Sequence, residues 1–301
     1  MVPTTGRARA RIGLLGNPGD LYRGKVLAAT IDAFETVATL ESAADAPGLV
    51  LQPEVAGLQR RVVDRVAPSL GGVAIGLTTD VPLRSGLSGS SAILLATLRA
   101  LDTHLDLALD PLEMARIVWD IERHDMGVVA GPQDRVIQAL GGLQFMDFGG
   151  RDEIGVHEPL DAALLPPLLV AWPDEAGEAS GDVHRAVWER WQRGDEALRR
   201  RVDGFAAIAE QGRDALLGGD HAGFCTAVDA NFDLRRAVFE LDDAQAALVE
   251  AARASGAAAK FCGSGGAVLA VPKPGFGIEQ VADRLESVAS VCRRVRVAVA
   301  A

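Results

Sequence analysis

Apolar and polar positions along this chain fall into two rhythms, one of period two and one of about 3.6. From Arg7 to Leu15 small residues alternate with arginines and then merge into an aliphatic run, which predicts a strand ending at Gly16-Asn17-Pro18-Gly19. Val26 to Leu40 is apolar and β-branched and predicts a second strand, and Gly72 to Val81 a third, stopped by Pro82. Leu58, Val62, Val63 and Val66 repeat at helical spacing. Ser90 to Leu105 is the strongest helix in the sequence, and a further helix opens at Asp110 (N-cap) and Pro111 and runs to about His124. Gly131-Pro132 breaks the chain, helical spacing resumes from Asp134 to Leu140, and L-Q-F-M-D-F predicts a short strand.

The pattern changes between 150 and 165, where Gly149-Gly150 and Pro166-Pro167 bracket an expected inter-domain region. Beyond it come a strand (Leu168 to Trp172) and four helices. These run from Asp182 to about Gly194, Asp195 to Leu217, His221 to Glu240 and Ala244 to Ser255. A glycine loop, K-F-C-G-S-G-G, then feeds a strand, followed by a helix (Ile278 to Ala289) and a terminal strand (Val291 to Val299). Helices and strands mix without strict alternation, so the expected class is α+β in two domains, 1–160 and 161–301.

Composition narrows the classes. With 49% apolar residues in 301, the chain can bury a substantial core. A net charge of −11 argues against nucleic acid or an anionic membrane as partner but permits an anionic small molecule in a local basic pocket. Cys225, Cys262 and Cys292 are too few and too scattered for a disulfide framework or a zinc site. The first sixteen residues carry no apolar stretch of signal-peptide length and no run approaches the ~20 apolar residues of a membrane span. A cytoplasmic protein, monomeric or homodimeric, is expected.

Three segments carry chemistry. P-L-R-S-G-L-S-G-S-S-A places glycines and hydroxyls between a strand and a helix start, the arrangement that holds an anion on unpaired amides and a helix dipole. It contains no G-x-x-x-x-G-K-[ST] and is not a Walker loop. Glu122 and Asp134 form a carboxylate pair split by a Gly-Pro loop, able to divide metal binding from handling of a nucleophile's proton. K-F-C-G-S-G-G could pack its backbone on a ligand or on the first loop. Taken singly, each also reads as an ordinary turn, cap or solvated helix residue.

Taken together, the three resemble the GHMP kinases. G-L-S-G-S-S-A after a proline is similar to their phosphate loop, A-R-I-G-L-L-G-N-P-G-D to their N-terminal motif, and K-F-C-G-S-G-G to their C-terminal glycine motif, in the same order over nearly the whole chain. V-A-G-P-Q-D-R-V-I-Q-A-L-G-G-L-Q-F-M-D-F, S-G-D-V-H-R-A-V-W-E-R-W, N-F-D-L-R-R-A-V-F and the extra residue in G-L-S-G-S-S resemble the glucuronokinase-like branch. A-R-A stands where the superfamily usually has A-P-G.

The resemblance implies a mixed α/β N-terminal domain, a ferredoxin-like C-terminal domain and an active site in the cleft between them, using ATP and Mg²⁺. It implies that the backbone of Gly86, Leu87, Ser88, Gly89, Ser90 and Ser91 cradles the ATP phosphates and that Ser91 and Glu122 hold Mg²⁺. Asp134 would then be the base or orienting carboxylate, Arg11 would lie near the transferred phosphoryl, and Asp20 would bind substrate hydroxyls. Gly263 and Gly265 would pack at the ligand. The implied reaction is phosphorylation of a sugar acid at its anomeric hydroxyl, with D-glucuronate first; galactose, galacturonate, an aminocyclitol, mevalonate or a non-catalytic regulator of the same fold are the alternatives. A uronate carboxylate calls for a cation, and Lys25, Arg135, Arg235 and Arg236 are the candidates. His184, Trp188 and Trp191, at i, i+4 and i+7, are expected to pack in a core.

Overall fold

A computed structural model describes residues 3–43, 48–82, 85–172, 180–239, 241, 243–289 and 291–298. The chain opens with two long antiparallel strands, β1 (Thr4–Leu15) and β2 (Lys25–Ser42), joined through a 3-10 turn at Gly19–Tyr22. A short β3 (Leu49–Leu51) and helix α1 (Ala56–Val66) follow, then β4 (Val73–Thr79), α2 (Gly89–Leu105) and α3 (Pro111–Asp120). Asp110 caps α3 in a full capping box with Glu113, so the start read from the sequence stands on real hydrogen bonds. The far end differs: the last turn, Ile121–Asp125, opens into a π-helical turn. Helix α4 (Gln133–Leu140), β5 (Leu143–Asp147) and β6 (Val156–Leu160) complete the first sheet.

Strand order is β3-β4-β2-β5-β6, with β1 along the opposite side of β2. β6 falls where an inter-domain region was expected. Its sequence V-H-E-P-L carries a proline and charge, and it serves as an edge strand, the place where a missing amide costs least.

The second half begins with β7 (Leu168–Trp172) and passes through α5 (Ser180–Gln192), α6 (Glu196–Leu217), α7 (His221–Val238) and α8 (Asp243–Ala254). It closes with β8 (Ala257–Phe261), β9 (Val268–Pro272), α9 (Ile278–Glu286) and β10 (Val291–Val295). The antiparallel order β10-β7-β9-β8 is the ferredoxin-like arrangement. Glu240 and Val299, expected to end a helix and a strand, lie outside the described residues.

Both faces of the β1–β2 pair are buried, which is why the strands read as nearly continuous apolar runs. Ala8, Val26 and Ala28 face a core shared with α2, α3 and α4. Ile12, Leu14, Leu27 and Ile31 face the other way, onto Leu168, Leu216, Phe224 and Leu269 of the second half. One apolar layer therefore welds the two halves and fixes the cleft between them. Trp188 and Trp191 pack with Tyr22, Phe205 and Phe239 in a satellite cluster. Among the described residues no helix is long and apolar enough to cross a membrane.

Candidate active site

A cleft of about 550 Å³ opens where β1, the N-terminus of α2, the start of α4 and the second glycine loop meet. Ser88 precedes α2 in the left-handed region (φ 63°), and its side chain makes no cap. Its hydroxyl instead donates to Asp134 Oδ2 at 2.6 Å. The first turn of α2 thus lacks the side-chain acceptor that usually satisfies it, and Gly89, Ser90 and Ser91 line the cleft. A helix start left uncapped beside such a cavity is a seat for an anion.

The two glycine loops lock together through backbone. Gly86 has φ 79°, and a Cβ there would lie 2.2 Å from the carbonyl oxygen of Gly265; a Cβ on Gly263 would lie 2.4 Å from that of Gly86. Between the loops runs the free edge of β1, where the Arg11 amide donates to Leu87 O and the Gly13 amide to Cys262 O. Register shifts on either side of Arg11 re-aim its side chain into the cleft. There it grips Asp134 with two bonds, Nε to Oδ1 at 2.5 Å and Nη2 to Oδ2 at 2.6 Å, while Nη1 donates to Gly86 O at 2.7 Å. Burial alone would raise the Asp134 carboxyl, but Arg11, Arg135 and the Ser88 hydroxyl outweigh it and hold the group down at about 2.

Glu122 sits in the π-helical turn, 2% exposed, and accepts from the Ser91 hydroxyl at 2.9 Å and from Ser90 at 3.2 Å. Its other partner is the buried guanidinium of Arg135, one helical turn from which the Gly131 carbonyl accepts at 2.9 Å. Asp20 reaches the same cleft from the β1–β2 connection. Its carboxylate accepts the backbone amide of Gln133 at 3.2 Å and the Gln133 side chain at 3.1 Å. Burial, reinforced by the charge of Asp134, pushes Asp20 up to about 7.

The opposite wall comes from the second half. Lys260, 2% exposed, ties that half to the first: Nζ donates to Gly13 O at 2.6 Å, Asn17 Oδ1 at 2.7 Å and Phe261 O at 2.8 Å. Burial pushes it down to about 7. Arg235, on α7, donates to Gly263 O at 3.2 Å and Ser264 O at 2.6 Å. His184, on α5, lines the cleft with Nδ1 buried and without a partner among the described residues, and burial, with Arg235 nearby, pushes it down to about 3.

An uncapped helix start, two carboxylates each held by an arginine, and a third carboxylate hydrogen-bonded to Gln133 beside them suit transfer of a charged group to a hydroxyl. The comparison with known proteins agrees. Residues 55–142 match the family described as GHMP kinases N terminal domain, and residues 213–290 match GHMP kinases C terminal. Glucuronokinase 1 of Arabidopsis thaliana is 36% identical over 87% of this chain and 83% of its own. The chain belongs to the GHMP kinase family. Probable glucuronokinase 2 of the same plant is 35% identical, over 87% of this chain and 82% of its own. In shape, L. major mevalonate kinase, crystallised with R-mevalonate, superposes with a TM-score of 0.79 at 21% identity, covering 99% of this chain and 97% of that one.

This GHMP kinase is therefore a phosphotransferase with an alcohol acceptor, and ATP is its phosphoryl donor. Its fold brings Arg11, Asp20, Gly86, Ser88, Gly89, Ser90, Ser91, Glu122, Asp134, Arg135, Arg235 and Gly263 to one cleft. Three expected site residues are placed elsewhere. Lys25 lines a separate recess, where it is ion-paired with Glu210 and with Asp147. The Leu87 side chain is fully buried, and its carbonyl accepts from the Arg11 amide. Gly265 serves loop-to-loop packing against Gly86. His184 packs as expected, buried and edge-on to Phe239 of the satellite cluster at 5.2 Å, and it also forms part of the cleft wall. Sequence reasoning also passed over Gln133, Arg185 and Ser264, which line the cleft, and Lys260, which braces it; only the adjacency of Gln133 to Asp134 and of Lys260 to the glycine loop offered a signal.

Proposed function

We propose that this kinase moves the γ-phosphoryl group of ATP to the anomeric hydroxyl of a hexuronic acid, D-glucuronate first, giving the sugar-acid 1-phosphate and ADP. The two glucuronokinases that resemble it over most of its length support the acceptor. The observation that carries the site assignment is the uncapped start of α2 facing Asp134, with Ser88 donating to that carboxylate at 2.6 Å.

The triphosphate lies along Gly86 to Ser91, where amides and the helix dipole meet its charge. Asp134 orients the anomeric hydroxyl. Held near 2, it is ionised at neutral pH and weakly basic, so it takes the hydroxyl proton late, as the new O–P bond forms and the bond to the ADP oxygen breaks. Arg11 keeps Asp134 in place and adds positive charge beside the transferred group. Asp20, with Gln133 behind it, accepts hydrogen bonds from ring hydroxyls. Ser91 Oγ and the Glu122 carboxylate are hard oxygen donors side by side, suited to a Mg²⁺ ion bound mainly through phosphates. Bound there, Mg²⁺ would neutralise charge on the β- and γ-phosphate oxygens.

A panel of acceptors with coupled ADP detection tests this reading. D-glucuronate is expected to give the highest kcat/KM, with ³¹P NMR showing an anomeric phosphate. Turnover confined to a neutral sugar or to mevalonate overturns the acceptor, and no ADP release with any acceptor overturns the catalytic role.

A further inference from the structure

Four basic residues were candidates to meet an acceptor's carboxylate, and the tertiary structure separates them. Lys25 lies outside the cleft and is already paired with two carboxylates. Arg236 points from α7 to Glu250, 3.0 Å away, on the exposed side. Arg135 lines the cleft, but Glu122 neutralises it. Arg11, the remaining cation of the first wall, is spent on Asp134 in the same way.

Arg235 is different. It is 2% exposed, and among the described residues it meets only the carbonyls of Gly263 and Ser264. Those use two of its five N–H donors, and Nε is buried without a partner. Carbonyls hold the guanidinium, and among the described residues no carboxylate is paired with it. A desolvated cation without a counter-ion is costly for the apo protein and gains most from an incoming anion. The group is also rigid: its carbon lies 5.2 Å from the centre of the Phe239 ring and 5.5 Å from that of Phe261.

Its position fits the geometry of a uronic acid. The anomeric carbon and the carbon bearing the carboxylate are both bonded to the ring oxygen, so the reacting hydroxyl and the carboxylate sit close together on one edge of the sugar. In the cleft, Gly263 alone separates Arg235 from the Arg11–Asp134 pair. Its carbonyl accepts from Arg235, and a Cβ on it would lie 2.9 Å from Arg11 Nη2. His184 stands on the same wall with an unpartnered ring nitrogen.

Building on the acceptor reading above, we infer that Arg235, with the His184 ring beside it, seats the carboxylate of the hexuronic acid and is what makes this kinase select an acidic sugar over its neutral analogue. The triphosphate end of the cleft has its own anion seat at α2, so the two anions of the reaction occupy opposite walls.

The test compares kcat/KM for D-glucuronate and for D-glucuronamide, which has nearly the same shape but no charge and an NH2 donor in place of one carboxylate oxygen, in the parent enzyme and in Arg235→Gln, Arg235→Lys and Arg185→Gln. The parent prefers the acid by about 100-fold or more, as truncation of desolvated charge pairs indicates. In Arg235→Gln that ratio collapses to within about threefold, with KM for ATP nearly unchanged, because only the acid loses its partner. Arg235→Lys, which keeps the charge but loses the fork, falls between. Arg185, exposed at the mouth of the cleft, leaves the ratio intact when changed to Gln. A parent with no preference for the acid overturns the acceptor reading and this inference together. A preference that survives Arg235→Gln, moves to Arg185, or disappears only because every substrate and ATP weaken equally, overturns this inference alone. A measurement on the parent enzyme stands in if the variants do not fold: NMR titration of His184, whose pKa D-glucuronate raises and D-glucuronamide does not. Equal responses to the two ligands overturn the assignment.

Discussion

The two walls of the cleft treat charge in opposite ways. On the first, each cation has its carboxylate: Arg11 with the half-buried Asp134, and Arg135 with Glu122, a fully buried pair. On the second, Arg235 and Lys260 are buried against carbonyls and an amide oxygen, and His184 is left with an unmet ring nitrogen. The paired wall is preorganised; its groups need not move when the phosphoryl group transfers. The unpaired wall is incomplete without a ligand. Preorganisation favours rate and an unsatisfied wall favours selection, because a neutral analogue leaves the buried charge unmet.

Breaking the first wall has the largest expected effect. Asp134→Ala removes the orienting carboxylate and strands Arg11, so kcat falls by about 10³-fold or more while a fluorescent ATP analogue still binds. Unchanged turnover in the ADP-release assay removes Asp134 from the mechanism. Lys260→Met breaks the brace between the walls. It leaves Gly13 O and Asn17 Oδ1 without their buried donor and costs about 3 kcal/mol, read from the urea midpoint. A shift in the midpoint equivalent to a surface substitution refutes the brace.

Asp20→Asn sharpens the comparison through pH. In the folded chain Asp20 holds its proton up to about 7, against 3.8 ordinarily. Its contribution is therefore intact below pH 4 and is lost as pH rises through 7. Asn cannot ionise, so the variant melts higher than the parent at pH 8, the gap closes toward pH 4, and activity drops. A pH-independent gap contradicts burial of an ionisable group there. The smallest effect on activity is expected from Glu122→Gln, which raises KM for Mg·ATP about 10-fold, checked by a Mg²⁺ titration of initial rates, and which lowers the melting temperature because the buried Arg135 loses its carboxylate.

How much was legible follows from which interactions are local. The start of α3 was readable because the capping box is written within four residues. The anion seat was readable as strand, glycine loop and helix start. β6 was not, because V-H-E-P-L has no alternation and an interior proline, and it becomes a strand by lying on the edge of β5. The π-helical turn that turns Glu122 toward Ser91 was hidden for the same reason: it interrupts a pattern that reads as one helix. Lys25 and Arg235 looked alike as basic residues near motifs, and only their neighbours distinguish them.

By itself, then, the amino-acid sequence determined the helices and strands in order, except for the short β3, β6 and β8, together with the two glycine loops, the carboxylates and the family they resemble. Those are properties of spacing, carried by residues near one another in the chain. Which arginine is neutralised, that His184 borders the cleft as well as the core, and which lysine braces the cleft were decided by the tertiary structure alone. Charge pairing and burial depend on groups far apart in sequence: Arg11 meets Asp134 across 123 residues and Lys260 meets Gly13 across 247. No periodicity encodes such meetings. They exist because the apolar layer between the two halves brings those walls face to face.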